Sequence, residues 1–344
     1  MSSLVTLAEI KAAAERISGV AVRTGLHPVS PERLRAAGVS SLPFELYIKA
    51  ESEQPIGSFK LRGAYNRIAQ LSKEELSRGV ITYSSGNHAQ GVAYAARALG
   101  SKAVIVMPNN APEVKQAATK ALGAEVVLVG PASSERKAKA EELAAAHGYT
   151  VIPPYDDPAI IAGQGTCGLE ILEQLEVTPN DDLVILSPVS GGGLLSGIAT
   201  AVKLGAPDGA RVQVWGCEPE LSADARESFE TKTLVEWPAA KTTRTICDGL
   251  RTQSLGLRNF EHILRYVDGI VTVGEDEIRA AMRVMLTATG LVAEPSGAAT
   301  LAAALFHHSE LPRCEKLVAV LSGGNIEPEL KRELETVVGT SASA

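Results

Sequence analysis

Leu183-Val-Ile-Leu-Ser187-Pro-Val-Ser190-Gly-Gly-Gly-Leu194 is an uncharged apolar run that breaks into three glycines and then enters an apolar helical stretch. A run this apolar does not suit a strand wetted on one face, so it belongs inside a covered, parallel sheet. Similar runs recur outward from it at Glu45–Lys49, Gly79–Tyr83, Ala103–Met107, Glu125–Val129, Arg211–Gly216 and Leu317–Ser322. Helical stretches rich in Ala and Glu separate them, among them Ala89 to Leu99, Pro112 to Leu122, Ser134 to Ala146, Gly168 to Leu175 and Asp276 to Thr289. Strands alternating with helices specify an α/β fold. The units from Val80 to Val129 read as β-α-β-α-β, a small open sheet of its own. Pro153-Pro-Tyr-Asp-Asp-Pro158 is turn-rich and returns the chain to the first unit. The expected organisation is a discontinuous large domain, residues 1–78 and 160–344, around a small domain, residues 79–159.

At 344 residues the chain is long enough for about two domains. Its 45% hydrophobic and 21% charged residues exclude disorder as the main state. With 33 basic against 40 acidic side chains and no Lys or Arg run, it lacks the electrostatic footprint of a nucleic-acid binder. Cys167, Cys217, Cys247 and Cys314 are far apart and form no zinc pattern, so free thiols in a reducing cytosol are expected. Met1 to Ile10 has neither the basic start nor the apolar core of a secretory signal. Leu183 to Val202 is uncharged and about as long as a membrane span, but Pro188, its serines and Gly191–Gly193 interrupt it. No membrane association is expected.

Three strands end in unusual turns: Tyr83 runs into Ser84-Ser-Gly-Asn-His-Ala-Gln90, Ser187 into the triple glycine, and Leu321 into Ser322-Gly-Gly-Asn325. Ligands of open parallel sheets bind at the carboxyl ends of strands, so these turns converge on one site. Ser190-Gly-Gly-Gly-Leu194 can present successive backbone N–H groups to an anion at the positive end of the following helix. No Lys-Ser or Lys-Thr follows it, which rules out a nucleotide P-loop. A flexible turn is the alternative. Gly163-Gln-Gly-Thr-Cys-Gly168 matches the dinucleotide spacing, but no proper strand feeds it. In Glu53-Gln-Pro-Ile-Gly-Ser-Phe-Lys60-Leu-Arg-Gly-Ala64, a lysine opens an apolar helical stretch. The helix end and the desolvating Phe59 and Leu61 would depress its pKa, as a Schiff-base lysine requires; a solvated surface lysine is the alternative.

Ser58-Phe-Lys-Leu-Arg-Gly-Ala64, Ser84-Ser-Gly-Asn-His-Ala-Gln90, Ser190-Gly-Gly-Gly-Leu194, Glu294-Pro-Ser-Gly297 and Ser322-Gly-Gly-Asn325 stand in the order of a known signature. The chain resembles, from about residue 20 to about 330, the fold-type II pyridoxal-phosphate enzymes of the serine racemase and serine/threonine dehydratase group. The resemblance implies a tryptophan-synthase-β-like fold of two open, twisted, mainly parallel sheets with flanking helices, and a homodimer. It implies that Lys60 carries pyridoxal 5'-phosphate as an internal aldimine and serves as base on Cα. Gly191, Gly192, Gly193 and Leu194 would bind the phosphate with Ser190 nearby, Asn87 the ring 3-oxygen and Ser322 the pyridine nitrogen; Phe59 and Glu294 would also adjoin the cofactor. Ser84, Ser85, Gly86, Asn87 and His88 would bind the substrate carboxylate. A serine opposite the ring nitrogen favours prompt loss of a β-hydroxyl over long-lived carbanion chemistry.

The implied activity is ammonia-lyase (dehydratase) chemistry on L-serine or L-threonine. Ser85, on the opposite face from the lysine in racemase relatives, would also permit racemisation; otherwise it only binds carboxylate. Arg136 resembles an arginine that reaches the distal end of the substrate in the racemase branch, which raises 3-hydroxyaspartate as a substrate; a solvated helix face is the alternative. Glu218, Ser222 and Asp224 resemble that branch's divalent-cation site for Mg²⁺, Ca²⁺ or Mn²⁺, with an acidic surface turn as the alternative.

Overall fold

The computed structural model describes residues 4–341 apart from 112, 131 and 132. Met1 to Ser3, Pro112 at the head of one expected helix, and residues 342–344 therefore lie outside the described residues. Among the described residues ten strands form two sheets: β1 Leu26–Val29, β2 Glu45–Ala50, β3 Val80–Thr82, β4 Ala103–Pro108, β5 Glu125–Val129, β6 Thr150–Val151, β7 Asp182–Pro188, β8 Arg211–Pro219, β9 Gly269–Val273 and β10 Lys316–Leu321. The large sheet runs β1-β2-β10-β7-β8-β9 and the small one β5-β4-β3-β6. Every pairing is parallel except β1 with β2, where Leu26 faces Lys49 and Val29 faces Leu46 in antiparallel register.

Alternation along the central strands explains why they are apolar throughout. Leu183 and Ile185 of β7 pack into one layer, while Val184 and Leu186 pack into the opposite one. In β10, Val318 and Val320 join the first layer, and Leu317, Ala319 and Leu321 the second. Each fully buried aliphatic side chain contributes about 1.5–3 kcal/mol of transfer free energy, so both faces must be covered. Residues of the helices Pro158–Gln174 and Gly193–Gly205 cover one face, and those of Glu275–Thr289 and Pro295–Phe306 the other. The small sheet repeats the pattern: Ile105 and Met107 face Ala89 and Val92, and Val104 and Val106 face Ala140.

Leu183 to Val202 divides into β7 and the helix Gly193–Gly205. Among the described residues no helix is long and apolar enough to cross a membrane. The helix expected from Gly168 begins earlier, at Pro158, capped by the Asp157 carboxylate on the amides of Ala159 and Ile160. The glycine-spaced run Gly163–Gly168 therefore lies wholly inside a helix, and its glycines serve packing. A Cβ on Gly197 would stand 2.5 Å from the Gly165 nitrogen and 2.5 Å from the Ile161 oxygen; one on Gly163 would stand 2.7 Å from the Arg62 oxygen. Only hydrogen atoms fit where these helices touch. All four cysteines are free, three buried and Cys314 half-buried.

Candidate active site

The carboxyl ends of β3, β7 and β10 carry the three turns, and hydrogen bonds stitch the last of them to the lysine segment. Ser58 bridges Gly323 in antiparallel fashion, the Phe59 amide donates to the Ser322 carbonyl at 3.0 Å, and the Gly324 amide donates to the Gly57 carbonyl at 2.9 Å. Lys60 is thus the first residue of the helix Lys60–Ile68 and stands beside Ser322, which is buried. Its Nζ donates to the Pro154 carbonyl at 2.8 Å and sits 5.1 Å from the Phe59 ring centroid. Burial pushes its pKa from 10.5 down to about 8. About a tenth of the amine is therefore neutral and nucleophilic at pH 7, against well under a thousandth for an ordinary lysine.

A buried ionic cluster lies directly beneath this turn. The Arg62 guanidinium donates to both Glu51 oxygens at 2.7 and 2.8 Å and to both Glu170 oxygens at 2.6 and 2.8 Å. Lys49 Nζ reaches Glu170 at 2.6 Å and the Thr24 carbonyl at 2.9 Å. Lys49, Glu51 and Arg62 are fully buried, and the adjacent Arg62 lowers the Glu51 pKa although burial alone would raise it. The cluster ties β2 and the helices Lys60–Ile68 and Pro158–Gln174 together two residues past the lysine. No short motif signals it, because Glu170 lies more than a hundred residues from Lys49, Glu51 and Arg62.

The triple glycine opens the helix Gly193–Gly205, whose N-cap Gly192 is left-handed (φ +94°) and supplies no side-chain cap. Helix N-terminal amides lack intrahelical partners, which suits them to an anion. The Tyr155 ring lies so close that a Cβ on Gly191 would stand 2.4 Å from its Cδ1. Ser190 Oγ lies 2.9 Å from Thr252 Oγ1, a partner that the sequence alone does not reveal. Leu194 is buried.

The Ser84–His88 turn leads into the helix Asn87–Ala98, again without a side-chain cap. Ser84 and Ser85 are half-buried, the Gly86 amide donates to Ser84 Oγ at 3.4 Å, and nothing stands within 4 Å of where a Gly86 Cβ would be, so the turn faces open space. A Cβ on Gly91 would stand 3.2 Å from the Lys60 backbone, which places this helix against the lysine turn. Asn87 Nδ2 donates to Glu294 Oε1 at 2.7 Å, and its Oδ1 accepts from Asn325 Nδ2 at 2.7 Å. Burial pushes the Glu294 pKa up to about 8. The His88 imidazole donates through Nε2 to the Ile152 carbonyl at 3.0 Å, and burial and the Lys60 charge push its pKa down to about 3. Its ring is neutral and engaged with backbone, so what His88 offers the turn is main chain. Arg136 is half-buried in the first turn of the helix Ser133–His147, which follows β5 at the same strand-end edge of the small sheet; burial lowers its pKa.

Glu218, at the end of β8, and Asp224, at the head of the helix Asp224–Thr231, are buried with Ser222. The Glu218 oxygens accept from the Ala225 and Arg226 amides at 3.1 and 3.0 Å, while Asp224 Oδ2 and Ser222 Oγ have no hydrogen-bond partner. Burial, with Asp224 beside it, holds the Glu218 carboxyl well above the usual range; burial also pushes Asp224 up to about 7. Two buried carboxylates with an orphaned oxygen fit a bound cation. Among the described residues no set of three His, Cys, Asp or Glu side chains gathers to hold one.

A two-sheet α/β fold with a buried, readily neutralised lysine between an anion cradle and an uncapped helix fits a phosphorylated aldehyde cofactor. A family profile described as pyridoxal-phosphate dependent enzyme matches residues 28–323, and the chain belongs to that family, in its fold-type II branch. Its relatives include the L-threo-3-hydroxyaspartate ammonia-lyase of Saccharomyces cerevisiae, 40% identical over 295 residues and 86% of each chain. The serine racemase of Schizosaccharomyces pombe is 38% identical over 326 residues, 95% of this chain and 96% of that one. The crystal structure of a T.th. threonine deaminase superposes with a TM-score of 0.84 at 43% identity, covering 94% of this chain and 99% of that one.

Proposed function

We propose that the protein is an ammonia-lyase for β-hydroxy amino acids, with L-serine and L-threonine as the first substrates to test. The observation that carries this reading is the buried Lys60 amine, about half neutral at pH 8, on a helix packed against the one that the Ser84–His88 turn opens. When bound, pyridoxal phosphate would withdraw electrons from the substrate Cα and make its proton acidic. Lys60 would hold the cofactor aldehyde, and its freed Nζ would then take the α-proton. The Gly191, Gly192, Gly193 and Leu194 amides, with Ser190, would grip the phosphate, and the amides opening the helix Asn87–Ala98 would bind the carboxylate with Ser84 and Ser85. Asn87, pinned between Glu294 and Asn325, would present its remaining N–H to the ring oxygen, and Ser322 would face the ring nitrogen. Loss of the α-proton and β-hydroxyl releases water and an enamine, which hydrolyses to pyruvate or 2-oxobutanoate and ammonia. Incubation with pyridoxal phosphate and each amino acid tests this: a 2-oxo acid is expected from serine or threonine, with borohydride fixing the cofactor on Lys60. No 2-oxo acid from any β-hydroxy amino acid overturns it.

Two observations favour companion readings. Arg136 stands half-buried at the strand-end edge that holds the Ser84 turn, and a guanidinium suits the second carboxylate of 3-hydroxyaspartate. Comparing its isomers with serine and threonine decides the order of preference. Ser85, half-buried on the same turn, would protonate the face away from Lys60; in Ser85→Ala, serine inversion should vanish while much of the elimination survives. Glu218, Asp224 and the Ser222 carbonyl would hold Mg²⁺, Ca²⁺ or Mn²⁺, supported by the orphaned Asp224 oxygen. The two separate sheets support a small unit of residues 79–159 inserted in a large one of 1–78 and 160–344, the core of the small sheet also taking in Ile56, Leu61, Ile68 and Ile160 at the junction. Free cysteines fit a cytosolic protein, and sedimentation would test the homodimer that the family resemblance implies.

A further inference from the structure

The cradle is held from behind by a side chain outside every motif. Gly191 and Gly192 share a peptide group, and in a planar trans peptide the C=O and N–H point in opposite directions. The Gly191 carbonyl accepts two hydrogen bonds on the side away from the cleft: from the Gly256 amide at 3.0 Å and from Asn259 Nδ2 at 2.7 Å. Whatever pins that carbonyl therefore aims the Gly192 N–H the other way, towards the space before the helix Gly193–Gly205. Asn259 is fully buried, and its backbone carbonyl accepts from Ser196 Oγ at 3.2 Å, which fixes it to the same helix. It also packs directly on the left-handed glycine, since a Cβ on Gly192 would stand 2.9 Å from the Asn259 Cβ. Asn259 Oδ1 is buried without a partner. An aliphatic side chain would fill this space with no such cost, so the amide is retained for its donor end. The reverse amide orientation would set two acceptors face to face.

We propose that Asn259 is a positioning residue that orients the Gly191–Gly192 peptide and thereby sets the phosphate affinity of the cradle. The inference rests on the pyridoxal-phosphate reading above, and its test separates the two. Cofactor-free wild-type protein, Asn259→Leu and Asn259→Ala are titrated with pyridoxal phosphate and with pyridoxal, which lacks the phosphate, while inorganic phosphate competes. Asn259→Leu keeps the volume without the donor; Asn259→Ala, which adds no bulk, serves where the leucine does not fold. Loss of one hydrogen bond with the Gly256 bond kept should weaken pyridoxal phosphate binding about tenfold and inorganic phosphate similarly. Pyridoxal affinity should stay within about twofold, an outcome that general loosening of the fold does not produce. Equal weakening of both aldehydes, or unchanged pyridoxal phosphate affinity in the variants, overturns the positioning role alone. If wild-type Lys60 captures neither aldehyde, the cofactor reading falls with it.

Discussion

Replacing Gly197 by alanine sets two effects of opposite sign against each other. Gly197 lies mid-helix in Gly193–Gly205, where alanine is favoured over glycine by about 1 kcal/mol. Its new methyl would stand 2.5 Å from both the Gly165 nitrogen and the Ile161 oxygen, and 3.0 Å from the Gln164 carbonyl carbon. Ordinary carbon contacts lie at about 3.5 Å, so the helices would have to part by about 1 Å. All three opposing atoms are backbone and cannot rotate away. Overpacking that side chains can absorb costs about 1–3 kcal/mol, and this site belongs at the upper end. The difference, about 2 kcal/mol of net destabilisation, should appear as a lower urea midpoint. Gly205→Ala in the same helix is the control, because its nearest neighbours are the Leu172 and Leu7 methyls at 3.4 and 3.5 Å. It should stay within about 0.5 kcal/mol of wild type. A Gly197→Ala protein as stable as wild type would refute the reading of these glycines as contact points.

Arg62→Ala should cost about 3–5 kcal/mol in urea denaturation by leaving Glu51 charged and buried, and a loss below about 1 kcal/mol would contradict the cluster's role. The rate at which cofactor-free protein captures pyridoxal phosphate on Lys60 should rise with pH to a midpoint near 8, as the amine becomes neutral; a midpoint near 10.5 would contradict its burial. His88, with a folded pKa of about 3 against 6.5, contributes stability that is complete above pH 6.5 and is lost as pH falls towards 3. Its share of that slope, up to about 1.4 kcal/mol per pH unit, should disappear in His88→Gln. Millimolar Mg²⁺, Ca²⁺ or Mn²⁺ should raise the thermal midpoint and chelation should lower it, with the response lost in Asp224→Ala; an unchanged midpoint removes the cation site.

The parts of the fold written as local patterns were readable in advance. The strands at 103–107, 183–187 and 317–322 are apolar because both faces are covered, and the glycine turn at 191–193 is a turn because Gly192 needs a positive φ. Gly269–Val273, which forms the edge strand β9, carries the same apolar signal between two glycines but is not among the expected strands. β6, with only Thr150 and Val151, is too short to carry any pattern. The start of the helix at Pro158 was obscured because glycine reads as a breaker, whereas Gly163, Gly165 and Gly168 are there for backbone contacts made only after folding. Within the candidate site, Lys60, Asn87, the cradle and Ser322 announced themselves through motifs. Thr252, Asn259, Tyr155 and the Pro154 carbonyl did not, since each reaches the site from a distant segment and no residue type marks them. Small residues spaced three apart, free of any feeding strand, are the signal that could have disclosed the close helix crossing.

The antiparallel strand β1 closes one margin of the large sheet, and its composition bears on self-association. The Ala50 amide bonds the Gly25 carbonyl at 3.0 Å, so odd-numbered residues there turn their main chain to β2 while Leu26 and Pro28 turn theirs to solvent. Proline has no amide hydrogen, which leaves Leu26 as the sole main-chain donor along the outward side of the strand. A neighbouring molecule therefore finds a ladder one donor short on that flank, and sheet-to-sheet polymerisation there is disfavoured by covalent chemistry rather than by charge.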